Sequence, residues 1–153
     1  MINTGHYVVT KQAGYHKDGR LLTATQCANA LLKRKLWVIS KRAAGAKTLA
    51  AGDKIAVYLS GRAPDCGTVI ATATIADVRP WVRKDSFSYP LMLEAEPGIV
   101  LHLDTVEWLQ APAAVKERLD HITFVPSNHS KWGAAFMKSL RAITRGDFEV
   151  LTK

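Results

Sequence analysis

Two cysteines are all that the 153 residues contain, and Cys27 and Cys66 lie far apart, with no second thiol or histidine at ligand spacing. That excludes a disulfide framework and a cysteine-built zinc site, and leaves two small buried hydrophobes. The five histidines (His6, His16, His102, His121 and His129) include no pair four residues apart, so no metal is expected. No apolar run approaches the roughly 20 residues that cross a bilayer. The opening MINTGHYVVTKQ lacks the charged and apolar regions of a secretory leader, so a cytoplasmic location is expected. Catalytic signatures are missing too: there is no GxSxG, no Walker lysine loop, no HExxH and no HxE paired with PCxxC. Carboxylates are sparse where cations are dense, which leaves no visible two-carboxylate hydrolytic site. Neither catalysis nor a cofactor is expected.

The scarcity of acids is local. Residues 1–52 hold nine Lys and Arg against the single acid Asp18, whereas residues 53–153 hold twelve of each sign. The whole net charge of +8 therefore sits in the first third of the chain. A charge so placed suits a polyanion, because neutralised phosphates release counterions. Lys33, Arg34 and Lys35 have a structural explanation as well, since they would end a helix and lie at its negative end.

The length fits one domain over 1–153, with a sizeable core. Tyr7–Thr10 has the β-branched content of a strand, and Lys11–Arg20 reads as a loop turning at Asp18-Gly19. Thr23 is placed to cap a helix over 24–35, and Leu36–Ile39 is a short strand. Lys54–Leu59 and Thr68–Trp81 follow as strands, the second bent where Pro80 removes a donor. Pro90–Ala95 and Ile99–Leu103 read as further strands, the latter with a possible extension to Leu109. Pro112 suits the first turn of a helix to Leu119. Residues 128–140 read as a helix with Trp132, Phe136 and Leu140 on one face, and Asp147–Val150 as a last helical turn that packs Phe148 and Leu151 inward. Trp108 reads as core, and Trp81 as structural. Five or six strands with helices at both ends predict an α+β fold, a small mixed barrel.

Between Leu36 and Ser60, LWVISKRAAGAKTLAAGDKIAVYLS, the chain brings an aromatic, short hydroxyls and cations together. Trp37 precedes Ser40, Lys41 and Arg42, and the strand after Gly52-Asp53 places Tyr58 and Ser60 on one face. A planar side chain, hydrogen-bonding hydroxyls and cations are what a nucleobase and its phosphates require.

Four segments, LWVISKR at 36–42, TLAAGDKIAVYLSG at 48–61, SYPLMLEAE at 88–96 and SKWGAAFMKSLRAITRGDFEVL at 130–151, run in an order that resembles the EVE family. That family stands within the PUA-like superfamily, beside the YTH and ASCH domains. The resemblance covers about two-thirds of the chain, and the R-x-I-x-x-x-D-F-E close at Arg141–Glu149 is its most specific part. It implies a PUA-like pseudobarrel of five or six strands flanked by helices, whose pocket receives a flipped and modified (methylated or hydroxymethylated) base of DNA or RNA. It implies a base pocket of Trp37, Ser40, Tyr58, Ser60, Tyr89 and Trp132. Phosphate contacts then fall to Lys33, Arg34, Lys35, Lys41, Arg42, Lys131 and Arg141. The chain departs from relatives that carry Lys-Ser-Glu-Pro on the first strand, having Thr10-Lys11-Gln12-Ala13 there. Two alternatives stand beside this reading. One is a hydrolase of the ASCH type acting on a modified nucleoside, whose GxKxxExR motif has its nearest match at Gly52-Asp53-Lys54. The other is a basic module that binds an acidic protein.

Overall fold

The computed structural model describes residues 4–153. Alternating apolar segments build one six-stranded sheet: β1 (His6–Lys11), β4 (Leu36–Ser40), β5 (Lys54–Leu59), β6 (Thr68–Pro80), β7 (Pro97–Ala114) and β8 (Leu140–Ile143). The spatial order is β4-β7-β6-β5-β1-β8. β1 and β5 run parallel, and the other neighbours are antiparallel. β2 (Gly14–Tyr15) and β3 (Leu21–Leu22) form a small hairpin where a plain loop was expected, turning through Gly19 at φ +96°.

The sheet curls because β6 and β7 shift register at Val69/Ala71, Ala73/Ile75 and Ile75/Asp77. Each bulge adds residues to one strand, bending and twisting it. The largest shift sets Val69 against Ala113 but Ala71 against Trp108, so 109–112 bulge out of the ladder. Pro112 thus sits in a stretch where its missing donor costs no ladder bond. This corrects the expected helix from Pro112: β7 runs to Ala114, and a 3₁₀ segment (Val115–His121) follows. The result is the α+β half-barrel that a PUA-like pseudobarrel requires.

Period-two alternation divides the core in two. Tyr7, Val9, Ile55, Val57 and Leu59 pack with Trp37 and with α1 (Ala24–Leu32). Val8, Ala56 and Tyr58 point the other way and pack with Phe136, Phe148 and Leu151. Helix α1 begins as expected: Thr23 and Gln26 exchange a capping box, Gln26 N–H to Thr23 Oγ1 at 3.1 Å and Thr23 N–H to Gln26 Oε1 at 2.9 Å. It stops at Leu32, however, and Lys35 is left-handed at φ 53°, so Lys33–Lys35 form a turn rather than a last helical turn.

Residues 128–140 also differ from expectation. A 3₁₀ segment (His129–Phe136) ends before Leu140, which opens β8 and joins the Trp37 core while Phe136 joins the other. The spacing of four at 132, 136 and 140 therefore marks two packing faces, not one helical stripe. Pro90–Ala95 is not a strand: only Leu91 forms a bridge, to His16. The last helix, α2 (Arg145–Thr152), buries Phe148 and Leu151 as expected. Trp108 is 48% exposed, which corrects its expected place in the core. No helix among the described residues is long and apolar enough to cross a membrane.

Candidate nucleic-acid interface

β4 and β1 are four places apart in the sheet order, yet the curl lets both line one cavity of about 210 Å³. From β4 come Trp37, Val38 and Ser40, and from the end of β1 come Thr10, Lys11 and Gln12. Ser60, Tyr89, the irregular stretch from Met92 to Ala95, Pro97, Met137 and Ser139 complete it. The volume lies below the roughly 300–1,000 Å³ of drug-sized pockets and suits a single ring system more than a whole nucleotide.

The two sides are tied by hydrogen bonds to β1 and to the residues that follow it. Thr10 N–H donates to the Ser139 carbonyl at 3.2 Å, and Thr10 Oγ1 donates to that of Lys138 at 3.0 Å. Gln12 Nε2 donates to Glu94 Oε2 at 2.6 Å, and Met92 N–H to the Tyr15 carbonyl at 2.9 Å. Gly14 leaves room for Glu94, since a Cβ there would meet its Oε1 at 2.8 Å. Ser60 N–H donates to the Lys11 carbonyl at 2.8 Å, which brings Ser60 to the cavity as the chain turns at Gly61.

Trp37 is only 2% exposed and forms the buried end of the cavity. Lys11 Nζ lies 5.9 Å from the indole centroid, within cation–π range. Burial pushes the Lys11 ammonium below its ordinary pKa, against opposing pulls from Cys27 and Glu94. Tyr89 is buried beside Trp81, edge to face at 5.6 Å, and burial raises its phenol to about 12. It stays neutral at physiological pH.

Of the six expected pocket residues, Trp37, Ser40, Ser60 and Tyr89 line this cavity. Tyr58 and Trp132 do not. Alternation turns Tyr58 to the opposite face of β5, where its ring lies 4.5 Å from that of Phe136, and Trp132 meets Phe136 edge-on at 5.9 Å.

The expected phosphate ligands separate in the same way. Lys41 and Arg42 are exposed directly after Ser40, with Lys41 Nζ 3.4 Å from Glu96. Lys33–Lys35 lie before Leu36, at the far end of β4 and about 17 Å of strand from Ser40. Arg34 donates to the Ala30 carbonyl at 2.9 Å. Lys131 is exposed beside Trp132. Arg141 is committed to packing: its Nε donates to the Ala135 carbonyl at 2.8 Å and its guanidinium lies 5.2 Å from the Phe124 ring.

Sequence reasoning missed Lys11, Gln12, Glu94 and Met137. The signal was present in SYPLMLEAE, but that segment read as a strand rather than as a cavity wall. Lys54, in the nearest match to the hydrolase motif, lines a wide open groove with His6, Trp108 and Arg145 instead. Asp53 beside it is buried, accepting N–H bonds from Gly5 at 2.8 Å and Ala50 at 2.9 Å. Among the described residues no group of three His, Cys, Asp or Glu side chains converges as metal ligands would.

No protein-family model matches the chain, and no curated protein matches it in sequence. Solved structures of similar fold do. Human THYN1, in complex with DNA containing 5-methylcytosine, is 14% identical over 95% of this chain and 94% of that one, with a TM-score of 0.58. A point mutant of an ASCH protein from Zymomonas mobilis is 11% identical over 94% and 92%, with a TM-score of 0.57. Atu2648 from Agrobacterium tumefaciens is 13% identical over 97% and 91%, with a TM-score of 0.55. Likeness over nearly the whole of each chain makes this a PUA-like domain in fold.

Proposed function

We propose that the chain is a non-catalytic, EVE-type nucleic-acid-binding module that takes a flipped, modified base into the cavity between β4 and β1. The observation that carries this reading is the make-up of that cavity: aromatic rings at its buried end, hydroxyls of Thr10, Ser40, Ser60 and Ser139 around it, and the Gln12–Glu94 pair at one side. A ring entering it would stack on Trp37 once Lys11 swings away, and the hydroxyls and amide would meet its edge. Lys41 and Arg42 stand where flanking phosphates would pass, while Lys33–Lys35 and Lys131 would serve only a longer strand. Stacking is worth roughly 1–3 kcal/mol per base, against a few kcal/mol for unstacking. The DNA complex of the THYN1 relative supports the same class of ligand.

The test is fluorescence anisotropy at two salt concentrations with DNA and RNA, plain or carrying methylated cytosine, hydroxymethylated cytosine or N6-methyladenine. Preference for one modified oligonucleotide, weakening with salt and lost in Trp37→Ala, is the expected result. Binding unchanged by Trp37→Ala would move the base elsewhere, and no binding at low salt would end the reading.

A second reading has one observation in its favour. Lys11 shares the cavity with Glu94, so an ASCH-like hydrolase would have an amine and a carboxylate at hand. Acetate release from N4-acetylcytidine, abolished in Lys11→Ala, would establish it. The Zymomonas ASCH likeness fits this alternative as well as it fits binding.

A further inference from the structure

The cavity already holds a cation. Lys11 Nζ lies 5.9 Å from the Trp37 ring centroid, and of the described residues that line the cavity only Lys11 and Glu94 carry charge. The other polar groups are neutral: the Tyr89 phenol, the hydroxyls of Thr10, Ser40, Ser60 and Ser139, and the Gln12 amide. Without the lysine the lining would bear one negative charge, that of Glu94, which is exposed at the rim with its Oε2 2.6 Å from Gln12 Nε2. Two influences act on the Lys11 ammonium, and they oppose each other. Cys27 and Glu94 favour its charged form, whereas burial disfavours it and prevails. Burial weighs heavily because an ammonium is a compact, strongly hydrated charge that loses its water against the indole. A planar ring with its positive charge spread over several atoms is more weakly hydrated, as a guanidinium is, and loses less. Such a ring would also lie flat on Trp37, where cation–π attraction and stacking act together. The site suits the sign of the lysine charge better than its form.

Resting on the base-reading function above, we infer that the natural ligand is a pyrimidine with a fixed positive charge, a cytosine methylated on its ring nitrogen N3, which takes the place of the Lys11 ammonium over Trp37. A single ring matches the volume of about 210 Å³. The charge of N3-methylcytosine is shared between the ring and the exocyclic nitrogen, whose N–H can donate to the Glu94 carboxylate. The methyl group also blocks Watson–Crick pairing, so this base stands unpaired before it is bound. Extrusion is least costly for a damaged or unpaired base. Cytosine methylated on C5 keeps its pairing, is neutral at physiological pH and gains the stacking alone. Lys11 is a competitor built into the site, on a flexible stem at the half-buried end of β1. A neutral base that displaces it leaves Glu94 with no positive charge over Trp37, whereas a cationic base supplies one.

The experiment compares single strands of DNA and RNA carrying one N3-methylcytosine with the same strands carrying 5-methylcytosine, for wild type, Glu94→Gln and Lys11→Met. Wild type is expected to prefer the N3-methylated strand about tenfold, the equivalent of about 1.4 kcal/mol. Glu94→Gln keeps the size of an exposed side chain and removes its charge, so the preference should fall to within about twofold. Lys11→Met removes the competing cation, so the preference should rise above that of wild type. These opposite movements separate the reading of charge from damage to the fold, which would weaken both ligands together. Equal binding of the two strands, preference for 5-methylcytosine, or a preference unmoved by Glu94→Gln would overturn the cationic ligand and leave the base pocket standing. Tighter binding of N1-methyladenine, a cationic purine, would overturn the choice of a pyrimidine. A trimethyl-lysine peptide bound by a protein that binds no oligonucleotide would overturn the cationic base and the base-reading function together.

Discussion

Lys11 Nζ stands 5.9 Å from the centre of the Trp37 ring, although the two residues belong to strands at opposite sides of the curled sheet. The contact closes the half-barrel across its open side. It also covers the indole face on which a base would stack, so the cavity is lined by an aromatic that its own cation shields.

Replacing that cation should uncover the ring. In Lys11→Ala, acrylamide should quench tryptophan fluorescence more strongly than in wild type, with the fold retained by circular dichroism. Unchanged quenching would place Trp37 out of reach of any ligand. The pH dependence has a definite sign. The lysine pKa is lower in the folded state than the ordinary 10.5, so the unfolded chain binds more protons in between. Stability should rise with pH in the window below 10.5, and urea melts of Lys11→Met should lack that rise.

Gly98 is the point where the start of β7 passes closest to the end of β4. A Cβ there would meet Lys41 Cα at 2.6 Å and Lys41 N at 2.9 Å, both backbone atoms. Gly98→Ala should therefore cost about 1–3 kcal/mol in chemical denaturation. The register shift at Ile39/Ser40 lies beside it, so the same change should displace Ser40 and weaken oligonucleotide binding beyond the loss of stability.

Asp147 is buried at the start of α2 and joins that helix to the chain between the 3₁₀ segments Val115–His121 and His129–Phe136. It accepts from Thr123 N–H at 2.9 Å and Thr123 Oγ1 at 2.6 Å. Asp147→Ala removes both bonds, whose donors on exposed Thr123 turn to water, and should destabilise by about 1 kcal/mol. Thermal melts of Asp147→Ala and Thr123→Val, alone and together, should show losses that do not add.

The ion pair of Asp85 with Arg79 fixes the segment Arg83–Phe87 at the end of β6. Arg79 Nη2 and Nη1 donate to Asp85 Oδ1 at 2.7 Å and Oδ2 at 2.9 Å, and Val82 N–H donates to Oδ2 at 2.7 Å. The guanidinium holds the carboxyl down at about 2. A carboxyl depressed in the folded state stabilises fully above its unfolded pKa and loses that contribution as pH falls through the folded one. Asp85→Asn should thus lower Tm at neutral pH, and the gap from wild type should close between about pH 4 and pH 2.

What could be read in the sequence was local. The period-two runs of β1, β5 and β6, the Thr23 cap, and the burial of Phe148 and Leu151 follow from side-chain spacing and backbone chemistry within a few residues. The resemblance to EVE domains gave the fold, which the sheet and the solved structures bear out at the level of the PUA-like pseudobarrel. Trp37 and Ser40 could be placed together only through that resemblance, since three apart on a regular strand they would face opposite ways, and a register shift at Ile39/Ser40 interrupts the alternation between them. Tyr58 was placed with Ser60 by alternation, but its ring packs against Phe136 on the opposite face of β5, a neighbour that no local pattern reveals.

By itself the sequence determined the strands β1, β4, β5 and β6, the cap, the basic first third and the absence of ordinary catalytic motifs. The tertiary structure decided the rest: that β7 runs on past Pro112, that Pro90–Ala95 is a wall rather than a strand, and that Lys11, Glu94 and Met137 meet at one cavity. The physical reason is that bulges between β6 and β7 set the curl of the sheet. That curl brings side chains together from strands far apart in sequence and in sheet order, which no local pattern encodes.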